Sequence, residues 1–128
     1  MTKYTIEKLP NEPVIVMKAH EDYDPSEHAG EGAKALNRIL DELDGPVFFI
    51  QDLTRMKVDF EDILVGASTI GRGDAAPFHH SNIREIIAVT QDPTIRMVIE
   101  GMATDVYGNV HTIILDTLGE ALDYVHKR

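Results

Sequence analysis

The chain has 128 residues, no cysteine and a formal net charge of −10, from 22 acidic against 12 basic residues. That length predicts one domain, 1–128, able to bury a core without staples. The missing cysteines exclude disulfides, thiol catalysis and cysteine-ligated metals. The acidic balance argues against nucleic acid and anionic membranes as partners and leaves room for a partner with a basic face. Met1–Thr5 has no apolar core of signal-peptide length, and no apolar run approaches the roughly 20 residues of a membrane span. The expectation is a cytoplasmic protein.

Residues 3–9 alternate loosely and read as an edge strand, followed by a turn at Asn11-Glu12-Pro13. Val14–Met17 is a second strand, paired antiparallel with the first. Asp24 is an N-cap with Pro25 at the first helical position, where the missing N–H costs nothing. Apolar residues at Ala29, Ala33, Leu36, Leu40 and Leu43 then form a helical seam that Gly45-Pro46 ends. Val47–Ile50 is apolar throughout, as a strand covered on both faces should be. A second helix is expected from Phe60 to Ile70, then an irregular stretch from Gly71 to Ser81. Glu85–Thr90 is the next strand, and Asp92-Pro93 opens a helix facing Ile95, Val98, Ile99 and Met102 inward. His111–Asp116 is the last strand. Thr117-Leu118-Gly119-Glu120 is a capping box before an apolar face of Leu118, Ala121, Leu122 and Val125. The order is β-β-α-β-α-β-α-β-α, an α/β fold with a mixed, mainly parallel sheet and helices packed on it. Right-handed crossovers would leave loops at the carboxyl ends of the strands.

That order, with Ile50-Gln51-Asp52-Leu53-Thr54-Arg55-Met56 and Phe60-Glu61-Asp62-Ile63-Leu64, resembles the sulfate-transporter and anti-sigma-factor-antagonist (STAS) domain and its CRAL-TRIO-like lipid-binding relatives. The resemblance implies a non-enzymatic regulatory or interaction module; the relatives suggest instead a carrier of a small apolar or lipid-like ligand. Anti-sigma-factor antagonists carry a phosphorylatable Ser or Thr where the second helix starts. Here the matching stretch is Asp59-Phe60-Glu61-Asp62, without a hydroxyl, so the phospho-switch is not carried over.

The candidate ligand or partner face comprises Asp52, Thr54, Phe60, Glu61, Phe78 and His80. Thr54 ends a strand at the expected ligand-facing edge, although a turn Thr also bonds its own backbone. Phe78 and His80 fit a lid over a pocket. Phe48, Phe49, Phe60, Phe78 and the methionines would line the pocket of a carrier, though such side chains also serve as core. A weaker third reading is a hydrolase-type enzyme using His79 or His80 with a neighbouring carboxylate as an acid–base pair. Adjacent histidines on an extended segment point to opposite sides, which argues against one shared metal. His20 to Asp24 with His28 fails as a calcium loop, because Glu27 takes the glycine position and Ala33 that of the terminal acid. No Walker loop, nucleophile elbow or dinucleotide fingerprint occurs. No catalytic residue, metal or cofactor is expected. The exposed N-terminal edge strand suggests a homodimer.

Overall fold

The structure is a computed structural model, and it describes residues 4–57, 60, 61, 64, 65, 80–104 and 110–128. Five strands, β1 (Tyr4–Lys8), β2 (Val14–Ala19), β3 (Val47–Asp52), β4 (Ile83–Val89) and β5 (Thr112–Leu115), form one sheet in chain order. β1 is antiparallel to β2, and β2 through β5 are mutually parallel. Among the described residues, α1 spans Pro25–Asp41, α2 Pro93–Gly101 and α3 Leu118–His126. In the β3–β4 connection, Phe60, Glu61, Leu64 and Val65 are helical; the rest of the helix expected to reach Ile70 lies outside the described residues.

Alternation along the strands divides the buried side chains into two cores. Ile15, Ala19, Phe49, Ile86 and Ala88 point to one face, where Leu36 and Leu40 of α1, Ile95 and Val98 of α2, and Leu64 pack on them. Val14, Val16, Phe48, Ile50, Ile87 and Val89 point to the other, beneath Ala121 and Val125 of α3. β3 is therefore buried from both sides, as its uninterrupted apolar run predicts.

Polar contacts close the ends. The last turn of α1 tightens, with Glu42 N–H donating to Ile39 O and Leu43 N–H to Leu40 O, both at 3.2 Å. The helix thus stops at Asp41, four residues before Gly45. The Glu85 carboxylate receives the Tyr124 hydroxyl at 2.9 Å and the Arg128 guanidinium at 2.7 Å, which fastens α3 to β4. His126 pairs with Glu12 in the β1–β2 turn. Among the described residues no helix is long and apolar enough to cross a membrane.

Asn11, in the β1–β2 turn, has φ of 60°. Asn tolerates this left-handed backbone, whereas a β-branched side chain crowds the following carbonyl. Asn11→Val should lower the unfolding free energy by about 1 kcal/mol and Asn11→Gly should not, as read by urea denaturation. Gly30 lies in α1, and a Cβ there would meet nothing within 4 Å. In the same assay Gly30→Ala should raise stability by about 0.5–1 kcal/mol, by restricting the unfolded backbone.

Candidate functional site

All the parallel strands end on the same side of the sheet, and α1, α2 and α3 start there. Such an end offers unbonded helix N–H groups and is where open α/β sheets take ligands. Here polar side chains satisfy much of the backbone. Asp52 Oδ1 accepts from the Thr54 N–H at 3.1 Å and from the Thr54 hydroxyl at 2.6 Å. Leu53 between them is buried, and its N–H donates to Val89 O at 3.0 Å, extending the ladder past β3. Asp52-Leu53-Thr54 is thus an Asx-type turn. Thr54 donates its hydroxyl to the preceding carboxylate, a contact the sequence reading did not foresee.

At the end of β4, buried Thr90 accepts from the Asp92 N–H at 3.1 Å. Asp92 then caps α2, accepting from Thr94 N–H at 2.8 Å and Ile95 N–H at 3.2 Å. Thr117 does the same for α3, accepting from Glu120 N–H at 3.1 Å. Arg96 reaches the exposed Asp116 carboxylate at 3.3 Å. Gln51 and Thr90 are buried polar side chains at this end. Sequence reasoning passed over both; the available signal was a polar residue closing an apolar run, at Ile50-Gln51 and Val89-Thr90.

The β2–α1 junction is aromatic. Tyr23 meets the Tyr4 ring edge-on at 5.7 Å and stacks on His28 at 5.6 Å. His28 Nδ1 accepts from the Asp24 N–H at 2.9 Å, so it serves the start of α1. Burial, then the negative charges of ionised Tyr4 and of Asp24, push the Tyr23 phenol up to about 12.

The structure brings together only part of the expected face. Asp52 and Thr54 share a turn, and Phe60 and Glu61 are exposed in the connection that follows. His80 lies at the other end of the sheet, just before β4, a separation of about 17 Å for a six-residue strand. Its Nε2 is 2.7 Å from Asp41 Oδ1 at the end of α1. Its Nδ1 accepts from the Asn82 N–H at 3.0 Å, which puts the proton of the neutral ring on Nε2. Asn82 donates its amide to Leu40 O and Leu43 O, at 2.8 and 3.2 Å. His80 and Asn82 therefore clasp the C-terminus of α1. A lid role over the Asp52 end does not suit His80, because it stands at the opposite end. Phe78 and His79 lie outside the described residues, as does the stretch from Gly71 through His79 of the expected irregular segment. Phe48 and Phe49 enter opposite cores and are almost wholly buried, so they cannot line one shared pocket.

No protein-family model and no curated protein matches the chain. Among solved structures it is similar to an uncharacterised protein of the DUF3478 family from Shewanella loihica, described as having a SpoIIAA-like fold. The likeness covers 95% of this chain and 91% of the other, with a TM-score of 0.56 and 13% sequence identity. The chain thus has the SpoIIAA-like, or STAS, fold that its sequence resembles. At that identity the likeness is one of fold.

The raised Tyr23 phenol gives a pH test with a defined sign. Well below pH 10 the tyrosine is protonated both folded and unfolded, and stability does not depend on its titration. Between about 10 and about 12 the unfolded chain loses the proton first, so stability falls as pH rises. The slope approaches about 1.4 kcal/mol per pH unit for one such group. Tyr23→Phe should flatten the decline of the unfolding free energy in that window, measured by denaturation at stepped alkaline pH.

Proposed function

We propose that this chain is a cytoplasmic, non-enzymatic STAS-like interaction module that receives a protein partner at the carboxyl end of its sheet, around Phe60. The observation that carries this reading is the Phe60 side chain, 44% exposed within a connection that packs Leu64 into the core. A large ring held in water on an anchored segment supplies the apolar centre of a contact. Asp52 and Glu61 supply acidic surroundings, and the chain's charge of −10 suits a partner whose docking face is basic around an apolar residue. Thr54 shapes the turn and leaves its oxygen lone pairs as acceptors.

The carrier reading is weaker because Phe48 and Phe49 belong to the two cores. The enzymatic reading is weaker because both ring nitrogens of His80 are engaged in the clasp.

Native mass spectrometry of the purified protein separates the first two readings. The bare chain mass is expected; an organic molecule retained in the native state and lost on denaturation would replace the module with a carrier. For a partner found by crosslinking, Phe60→Glu and Glu61→Lys should each weaken binding at least about tenfold, or 1.4 kcal/mol. Met97→Glu, at an exposed position of α2, should leave the affinity unchanged. Undiminished binding by both of the first two variants would remove this site.

A further inference from the structure

Among the described residues, the first strand forms one edge of the sheet. Leu9 N–H donates to Val14 O at 2.9 Å, which makes 9 and 14 a hydrogen-bonded pair. The β1–β2 register continues through Glu7↔Val16 and Thr5↔Lys18. Hydrogen-bonded pairs alternate along an antiparallel ladder, so Thr5 and Glu7 turn their N–H and C=O groups towards β2. The same groups of Tyr4, Ile6 and Lys8 turn outward, along the edge of the sheet.

We propose that this edge pairs with β1 of a second copy, antiparallel and about a twofold axis at Ile6. A twofold axis perpendicular to a sheet must set some residue opposite itself, because only then do opposed side chains share a face. With Ile6 opposite Ile6, the outward groups of Tyr4, Ile6 and Lys8 meet those of Lys8, Ile6 and Tyr4 in the second copy. The outward N–H and C=O groups of Tyr4, Ile6 and Lys8 then each find a partner.

Side-chain chemistry favours this register over the one with its axis at Glu7. On one face Lys8 comes opposite Tyr4, whose hydroxyl is influenced by the nearby Glu31 carboxylate, so a cation approaches an acidic group. On the other, exposed Glu7 comes opposite exposed Thr5. A shift to the axis at Glu7 would oppose two carboxylates and set Tyr4 against Pro10, which has no N–H to give. The product is a continuous ten-stranded sheet, with α1 of each copy beside the junction. This association does not rest on the partner site at Phe60, and its test reads self-association alone.

Sedimentation equilibrium of the wild-type protein at micromolar concentration should give twice the chain mass of 14.3 kDa. The register is read by crosslinking, which the absence of native cysteine makes clean. Thr5 and Glu7 of the two copies form a non-hydrogen-bonded pair with Cα atoms about 4.5 Å apart, within the range a disulfide spans. Two Thr5 residues, or two Glu7 residues, lie about 8 Å apart and outside it. A mixture of Thr5→Cys and Glu7→Cys proteins, each checked for wild-type circular dichroism, should give a covalent heterodimer on mild oxidation. Either protein alone should give little. A wild-type monomer would overturn the proposal. So would a dimer whose mixed cysteines link no faster than each variant with itself, which would move the contact elsewhere.

Discussion

The strands lie in the sheet in the order in which they occur in the chain, and the rest of the structure depends on that. Crossovers between parallel strands are right-handed, because a right-twisted strand leading into a right-handed helix packs back on the sheet only in that way. Three successive crossovers stepping in one direction must therefore all fall on one face. α1, Leu64 of the β3–β4 connection and α2 share that face with Ile15, Phe49 and Ala88. The helix after β5, free of any crossover, turns to the opposite face and covers Phe48, Ile50 and Ile87. Two cores then meet at β3, which has no solvent side and must be apolar at each of Val47, Phe48, Phe49 and Ile50.

The same constraint gathers the strand ends. Where β3, β4 and β5 finish, the chain needs acceptors for helix and turn N–H groups. Asp52, Asp92 and Thr117 supply them from within two or three residues. Much of the polar chemistry at this end is thereby spent on shaping the backbone, with Thr54 giving its hydroxyl to Asp52 and Thr90 accepting from the Asp92 N–H. Phe60 stands apart, because its ring faces water while Leu64, one turn on, enters the core.

The opposite end of the sheet shows how a chemically suggestive residue can be structural. His80 lies 39 residues from Asp41 in sequence, yet the two are paired at the end of α1. Asn82 closes the same helix through two backbone carbonyls. A helix end is rich in unpaired acceptors, and a donor arriving from the next strand satisfies them as well as a local cap does. The histidine pair drew notice in the sequence for its chemistry; one member of it serves packing.

The sequence by itself determined the local features, because those depend on residues within about four positions of each other. The spacing of Leu36 and Leu40, the Asp92-Pro93 helix start, the Thr117–Glu120 capping box and the doubly buried run of β3 were all legible in it. Strand ends were legible only to within one or two residues, as β4 shows by starting at Ile83 and ending at Val89. Tertiary structure alone decided that Phe48 and Phe49 part into separate cores, that His80 and Asp52 stand at opposite ends, and that Tyr23 is sealed between Tyr4 and His28. Those facts follow from how distant segments close on one another, and single-chain periodicity carries no record of which strand becomes whose neighbour.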